Sequence, residues 1–297
     1  MENIKKSRLI ESAKSEVKGF QAMYAKLEQK VILGGLSAST LTNYGRCVAK
    51  ISLYFHQPAI DLESEQINGY LQFLLTSAKQ PSKSYFKHTV YGLRYLFRLY
   101  DMEDRIIKLP SLKRSNKLPV VLSIEECKLL FRSGRILKHR VLLSLIYSAG
   151  LRSQEARNLK WSDIDYDRKR IHIRQTKYNK DRYVPLSEKM ILGLNKYKLA
   201  YQPKVYVFNG KTHGTPLSPR GVQWAMKQTL KAAGINKEAT IHTLRHSFAT
   251  HLLEMGMDLD TLRSILGHSH LTTTMIYLHV ARLGKSQVFS PFDRIYS

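Results

Sequence analysis

Apolar residues recur every three or four positions through the N-terminal part of the chain, the spacing that places side chains on one face of an α-helix. One such stretch follows Ser37 and Ser39, either of which could cap a helix, and another follows Pro81 and Ser82. This part is therefore predicted to be entirely helical. The apolar positions are Leu41, Tyr44, Val48, Ile51 and Phe55 in one stretch, Ile67, Tyr70, Leu71, Leu74 and Leu75 in the next, and Tyr85, Val90, Leu93, Phe97 and Tyr100 in the last.

The C-terminal part of the chain combines helical spacing with two short strand-like runs. Residues 140–149 are largely apolar and stop at Gly150, as expected of a buried helix with a glycine at its end. Residues 171–174 and 182–186 read as strands, and the polar residues 175–181 between them predict a turn. The predicted fold class is mainly α with a small antiparallel β-sheet. Further helices are predicted at about 220–233, 243–255, 259–266 and 272–280.

The charge of the chain is large and unevenly placed. Lys and Arg number 48 against 23 Asp and Glu, which gives a net charge of +25 at pH 7. Residues 1–107 carry +5 of this charge and residues 108–297 carry +20. A compact chain with this much positive charge repels itself, which indicates a polyanionic partner. Nucleic acid is the first candidate and an anionic lipid surface the second.

Length and composition predict two domains. A chain of 297 residues is long enough for two hydrophobic cores. Residues 108–119 contain two prolines and four basic residues, which is typical of a linker. We therefore predict a helical N-terminal domain over 1–107, a basic linker over 108–119 and a mixed α and β domain over 120–297.

The sequence argues against membrane and secreted classes. Its longest apolar run, residues 141–151, is too short to span a bilayer, and the N-terminus lacks the apolar core of a signal peptide. Cys47 and Cys127 lie 80 positions apart, which offers neither a disulfide framework nor a zinc-ligand spacing. These features predict a protein of the reducing cytoplasm with no membrane partner.

Short segments of the C-terminal part carry residues suited to phosphate chemistry. His242 and Arg245 are three positions apart at a predicted helix start, so both can face one spot at the positive end of that helix. A capping histidine beside a solvated arginine is the ordinary alternative. Zinc is a weaker one, because His242 and His246 have helical spacing but lack the metalloprotease glutamate and an obvious third ligand. The other candidates are Arg152 after Gly150, Lys177 in the hairpin turn, and His268 and Tyr277 near the last two predicted helices.

Together these residues form a set suited to cleaving a phosphodiester. Two guanidinium groups can bind both non-bridging oxygens of a phosphate, most tightly when the phosphorus gains a fifth ligand. A tyrosine hydroxyl can attack the phosphorus once a histidine takes its proton, and Lys177 can protonate the leaving alkoxide. None of these steps needs a metal ion or another cofactor.

In these segments the chain resembles the tyrosine recombinase, or phage integrase, family. The lysine-bearing hairpin over 176–186 and the helical segment over 36–44 take part in the resemblance. The central motifs are Ala149-Gly-Leu-Arg152, then His242-Thr-Leu-Arg245-His246-Ser-Phe-Ala-Thr-His251, then Leu266-Gly-His268 followed by Thr273, Tyr277 and His279.

The resemblance implies a role for each candidate residue. Tyr277 would be the nucleophile that forms a 3′-phosphotyrosyl bond. Lys177 would be the general acid, with Lys180 as the alternative. His242 would be the acid/base partner of the tyrosine, and His268 would hydrogen-bond the phosphate held by the two arginines. The implied catalytic set is Arg152, Lys177, His242, Arg245, His268 and Tyr277.

The resemblance also implies an architecture and partners. A helical core-binding domain and an α+β catalytic domain would form a clamp around double-stranded DNA. The family works as a tetramer on two DNA sites, built from one chain or with a related recombinase. Because the covalent bond conserves the energy of the broken phosphodiester, no ATP is required. The compact Xer-like, integron-like and transposon-encoded types all fit the motifs, so chromosome resolution, cassette capture, integration and transposition stay open as biological roles.

Two other classes use the same fold or chemistry. A type IB topoisomerase would relax supercoils as a monomer without exchanging partners, and a catalytically silent relative would only bind DNA. The sequence also departs from the family pattern at two places. Its serine after the glycine turn is Ser153 rather than the next residue, and Tyr178 stands where a glycine is frequent.

Overall fold

The computed structural model describes residues 2–77, 82–112, 118–174, 181–212 and 214–281. The chain divides into two compact units, Met1–Ser115 and Asn116–Ser297. This division lies within the segment 108–119, where two prolines and a run of basic residues indicate a linker. Among the described residues, no helix is both long and apolar enough to cross a membrane.

The described part of the first unit is helical. Its third and fifth helices begin where the sequence offers caps: the hydroxyl of Ser37 accepts a hydrogen bond from the backbone N–H of Thr40, and that of Ser82 from Tyr85, both at 3.2 Å. The helices are α1 (Glu2–Glu16), α2 (Phe20–Leu33), α3 (Ala38–Phe55), α4 (Ser64–Thr76), α5 (Lys83–Leu99) and α6 (Glu103–Ile107). Their shared core includes Phe20, Leu27, Ile51, Leu93 and Phe97, all fully buried.

The start of the predicted linker packs onto this first unit. Leu109 is buried in the helical core and Leu112 packs against it. Arg94 on α5 donates a hydrogen bond from Nη2 to the carbonyl oxygen of Pro110 at 2.8 Å. Two apolar side chains and one tertiary hydrogen bond therefore hold residues 109–112, which a reading of prolines and charges alone assigns to a linker.

The second unit combines helices with the small sheet. Its strands are antiparallel in the order β1-β2-β3, and Ile171 pairs with Ile164 on one side and Val184 on the other. The first strand has only two residues, too short to produce an alternating pattern in the sequence. The elements are α7 (Ile124–Ser133), α8 (Leu137–Ser148), α9 (Ser153–Asn158), β1 (Ile164–Asp165), β2 (Arg170–Ile173), β3 (Arg182–Pro185), α10 (Glu188–Tyr201), α11 (Pro219–Ala232), α12 (Ile241–Glu254), α13 (Leu259–Leu266) and α14 (Leu271–Met275).

The chain reverses after α8 at a position that only glycine suits. Gly150 has a φ of +59°, and a Cβ there would lie 2.5 Å from the ring of Phe248 on α12. The turn therefore packs directly against α12. Arg152 is the residue just before α9, so this contact fixes the position of the backbone from which the Arg152 side chain projects.

The last described helix is shorter than its sequence spacing predicts. A helix over 272–280 is expected, but α14 ends at Met275 and residues 276–280 continue as turns. The backbone N–H of Tyr277 bonds to the carbonyl of Thr274, and that of Leu278 bonds to Met275, so the spacing tightens to three residues. The tighter turns allow the ring of Tyr277 to be buried in a small core with α12 and α13, and this burial stabilises them.

Candidate active site

Arg245 lies at the centre of the candidate site. Its side chain on α12 is almost fully buried, and its Nη1 and Nη2 atoms donate to the carbonyl oxygens of Gly150 and Leu266, both at 2.6 Å. Burial and the nearby charge of Arg152 lower the pKa of Arg245 to about 10, so it stays cationic at neutral pH. The structure thus places a fixed positive charge between the turn after α8 and the end of α13.

Arg152 approaches the same place from the N-terminus of α9. Its Nη1 donates to Oε1 of Glu155 at 2.8 Å, and its Nη2 to the carbonyl of Gly267 at 3.0 Å. The side chain is 29% exposed, which makes it the more accessible of the two predicted arginines. The backbone N–H of Arg152 bonds to Oε2 of Glu155 at 2.8 Å, so the glutamate, rather than a shifted Ser153, satisfies this helix start.

Glu155 and Arg182 form a buried ion pair that the sequence does not single out. The two guanidinium nitrogens Nη1 and Nη2 of Arg182 each donate to one carboxylate oxygen at 2.9 Å. Both side chains are 8% exposed. Burial opposes ionisation of Glu155, but the hydrogen bonds and charge of Arg182, with the hydrogen bonds from Arg152, lower its pKa to about 2. The carboxylate therefore links two arginines 30 residues apart in the chain.

The hydroxyl of Tyr277 lies in a buried setting beside a histidine. It is 3.1 Å from Nδ1 of His246, and the tyrosine ring stacks on that of His268 with centroids 6.4 Å apart. Burial raises the pKa of Tyr277, although the charges of Arg245 and Arg152 and a hydrogen bond from Arg245 act in the opposite direction. The hydroxyl is therefore protonated at neutral pH and would need an acceptor for its proton in order to act as a nucleophile.

The histidine that touches this hydroxyl differs from the one expected. The resemblance assigns the tyrosine's proton partner to His242, whereas the contact is made by His246, one helical turn further along α12. Burial, His242 and Arg245 together lower the pKa of His246 to about 4, so its ring is neutral at pH 7. His242 is exposed at the start of α12, and its pKa is also lowered, by partial desolvation and by Arg245 and Arg152.

His268 has both ring nitrogens engaged in this structure. Arg245 donates from Nη2 to Nε2 at 3.0 Å, so Nδ1 carries the proton and donates to Oγ1 of Thr274, also at 3.0 Å. Burial lowers the pKa of His268 to about 4, together with the positive charges of three arginines, of which Arg245 has the largest effect. The histidine is therefore neutral and oriented next to Arg245.

Of the six predicted residues, the structure thus brings four together, and His242 lies exposed at the start of α12. Arg152, Arg245, His268 and Tyr277 meet where α9, α12, α13 and the turns after α14 converge. Lys177 and its alternative Lys180 lie outside the described residues. Among the described side chains, no three His, Cys, Asp or Glu gather in a way that could hold a metal ion.

Comparison with known proteins links this geometry to one family. The model of the phage integrase family matches residues 132–283, just over half of the chain. A tyrosine recombinase of Thermosipho africanus is 34% identical over 259 residues, which cover 82% of this chain and 90% of the relative.

Solved structures share the fold. A crystal structure of the XerH site-specific recombinase, in a post-cleavage complex with a palindromic difH substrate, has a TM-score of 0.69 at 23% identity and covers 93% of this chain and 91% of that one. A lambda integrase tetramer bound to a Holliday junction also has a TM-score of 0.69, at 20% identity, and covers 90% of this chain and 80% of that one. At these identities the likeness is one of fold.

Proposed function

Because the chain belongs to the phage integrase family of tyrosine recombinases, we propose that it cuts and rejoins DNA strands through a covalent bond between Tyr277 and a 3′ phosphate. The observation that supports this most directly is the position of the Tyr277 hydroxyl. It lies next to a neutral histidine, and the positive charges of Arg245 and Arg152 favour its ionised form. A phosphate bound by those arginines would be within reach of the nucleophile.

In the proposed reaction the oxygen of Tyr277 attacks the scissile phosphorus and the bond from phosphorus to the 5′ oxygen breaks. Arg152 and Arg245 neutralise the charge that grows on the non-bridging oxygens. His246 accepts the tyrosine proton, and Lys177 supplies a proton to the departing 5′ oxygen. The products are a 3′-phosphotyrosine and a free 5′-hydroxyl, and attack by a second 5′-hydroxyl reverses the step on a new strand.

The contact between His246 and Tyr277 predicts which histidine controls the pH dependence of cleavage. We expect His246→Asn, whose amide can keep a hydrogen bond but cannot take a proton, to cleave about 100-fold more slowly at pH 7. Its rate should rise with pH as hydroxide replaces the base. The wild-type rate should stay level above about pH 5 and fall as His246 gains a proton near its pKa of about 4. Single-turnover cleavage between pH 4 and 9 measures this.

His242→Asn is the matched control, since it lies one turn away on the same helix. This variant should lose rate without changing the shape of the pH profile. A changed profile for His242→Asn and an unchanged one for His246→Asn would return the role of proton partner to His242.

A second prediction concerns the leaving group. We expect Lys177→Ala to slow cleavage of ordinary DNA by about 100-fold or more, because the 5′ alkoxide then departs without a proton. Replacing the bridging 5′ oxygen with sulfur should bring the cleavage rate of the variant to within about tenfold of the wild-type rate. The thiolate of a thiol with a pKa of about 8.5 leaves without being protonated. Lys180→Ala is the control; rescue of that variant alone would make Lys180 the acid.

The proposed function is tested by trapping the covalent intermediate. Duplexes from the DNA flanking the gene, nicked at successive positions so that the released short fragment with the free 5′-hydroxyl diffuses away, are incubated with the protein in EDTA. A protein–DNA band that survives denaturation supports metal-free tyrosine chemistry. A band that appears only with divalent ions contradicts it, and tight binding without any band favours a silent DNA-binding protein.

Two further parts of the proposal concern partners. The fold is shared with a lambda integrase solved as a tetramer on a Holliday junction, and we propose that this chain also acts as a tetramer that brings two duplex sites together in the cytoplasm. A type IB topoisomerase would instead relax a supercoiled plasmid as a monomer. Strand exchange between two labelled duplexes, with no relaxation at monomeric concentrations, separates these functions.

A further inference from the structure

Three successive backbone carbonyls at the end of α13 each bind a different arginine. The carbonyl of Ile265 accepts from Nε of Arg182 at 2.7 Å and that of Gly267 from Arg152 at 3.0 Å. Between them, the carbonyl of Leu266 accepts from Arg245 at 2.6 Å. The last carbonyls of a helix lack partners within it and carry its negative end, so cations are favoured there. This helix end thus holds the two phosphate-binding candidates and a third arginine.

Arg182 differs from the other two because its side chain is enclosed. It is 8% exposed, and its fork faces Glu155 rather than solvent. Glu155 in turn binds both the side chain and the backbone N–H of Arg152, and it lies 3.9 Å from Nη1 of Arg245. Among the described residues, Arg182 is therefore connected to the two phosphate-binding candidates through Glu155.

The backbone beside Arg182 leaves no space for a side chain. Gly267 has a φ of +63°, and a Cβ there would lie 2.9 Å from Cδ of Arg182 and 3.2 Å from its Nε. The glycine therefore serves two purposes, because it ends α13 in the left-handed conformation and lets the guanidinium lie against the helix end. A longer residue at 267 would push Arg182 away from both Glu155 and Ile265.

We infer that Arg182 is a positioning residue for the reaction: its guanidinium, bound to Glu155 and to the carbonyl of Ile265, sets the orientation of Arg152 and Arg245 toward the scissile phosphate. The inference rests on the proposed function. Arg182 also begins β3, five residues after Lys177 in the chain, so it joins the strand that follows the proposed acid to the arginines. A lysine at 182 would keep the charge but lose the planar fork.

The test compares Arg182→Lys with Arg170→Lys. Arg170 lies on the neighbouring strand β2 and makes a partly exposed ion pair with Asp165, so its replacement controls for the loss of an arginine in the same sheet. We expect Arg182→Lys to bind the nicked duplex with a Kd within about threefold of wild type and to cleave it about 10- to 100-fold more slowly. Arg170→Lys should match wild type in both.

A neutral substrate separates positioning from general damage to the fold. A methylphosphonate at the scissile position carries no negative charge, so displaced arginines cost less there. The defect of Arg182→Lys relative to wild type should therefore shrink to under about threefold on methylphosphonate DNA. An equal defect on both substrates would mean that Arg182 only supports the fold, and cleavage of ordinary DNA at the wild-type rate would overturn the inference.

Gly267→Ala provides a second route to the same displacement. It keeps all three arginines in the sequence, places a Cβ against Arg182 and strains the left-handed backbone whose carbonyl binds Arg152, so it should show the same substrate-dependent defect. Fluorescence of Trp161 and Trp224, the two tryptophans of the chain, verifies that each variant is folded, because both lie in the second unit. If wild type forms no covalent adduct, the proposed function fails and this inference with it; if wild type cleaves and the variants do so equally well, only the inference fails.

Discussion

Replacing Tyr277 with phenylalanine should abolish the covalent protein–DNA adduct, with a loss on the order of 10⁴-fold or more in cleavage rate. The ring would keep its packing against α12 and α13, because Phe lacks only the hydroxyl and Tyr277 is 3% exposed. The affinity for DNA should stay within about threefold of wild type, since no buried nucleophile is needed for binding. The adduct is measured on denaturing gels and the Kd by fluorescence anisotropy on the same nicked duplex.

The stability of this variant should change only slightly. The lost contacts are the hydrogen bonds of the hydroxyl to the neutral ring of His246 and to Arg245, each worth about 1 kcal/mol. His246→Asn is the informative companion, because it alters the same hydrogen bond from the other side while leaving the nucleophile in place. An adduct formed by Tyr277→Phe would identify a different nucleophile. Loss of DNA affinity in step with cleavage would show that the substitution damages the site and would remove the support for a catalytic role.

Replacing Glu155 with glutamine should cost the second unit about 3–5 kcal/mol of unfolding free energy at pH 7, because it leaves the guanidinium of Arg182 buried without a counter-charge. Cleavage should also fall, since the carboxylate no longer orients Arg152. Urea unfolding followed through Trp161 and Trp224 reports on the second unit directly. Glu125→Gln, which removes an exposed pair with Lys128, should change stability by less than about 0.5 kcal/mol.

The pH dependence of this difference has a definite sign. The pKa of Glu155 is about 2 in the folded protein against an ordinary value of 4.5. A lowered folded pKa gives stability that is fully present above about pH 4.5 and is lost as the pH falls toward 2. Wild type should therefore lose about 3 kcal/mol over this interval relative to Glu155→Gln, and the two stabilities should converge. A gap that stays constant down to pH 2 would contradict an ionised, arginine-bound carboxylate.

The parts of the fold that follow from local spacing were accessible from the sequence. Ser37 and Ser82 cap helices within one or two residues of the predicted starts, and the strands over 170–173 and 182–185 agree with the two predicted runs. These features are determined by residues three or four positions apart in the chain, so the local sequence pattern is enough to predict them. The short β1 and the early end of α14 depend on packing against other elements and leave no such pattern.

The residues of the candidate site likewise fall into those that the sequence motifs identify and those that only the tertiary structure identifies. Arg152, Arg245, His268 and Tyr277 were identified by motif, and the structure brings them together. The histidine that contacts Tyr277 could not be chosen from sequence, because His242 and His246 share one helix face and differ in the depth to which the neighbouring elements bury them.

The ion pair of Glu155 with Arg182 escaped sequence analysis for a different reason. The residues are 27 positions apart and on different elements, so no local spacing brings them together. Each also has an ordinary interpretation where it stands: a glutamate in the first turn of a helix and an arginine at the start of a strand. Only the tertiary structure shows that the carboxylate is enclosed by arginines from three elements.

The turn at Gly150 also bears on how such a site can change over evolutionary time. The ring of Phe248 occupies the space that a side chain at position 150 would need, so a larger residue at 150 requires a smaller one at 248 as well as a strained left-handed backbone. The same reciprocity joins position 267 to position 182. A side chain at either glycine therefore requires a second change at the partner position in addition to the backbone strain. The placement of the two arginines proposed to bind phosphate is thereby shielded from single mutations at these glycines.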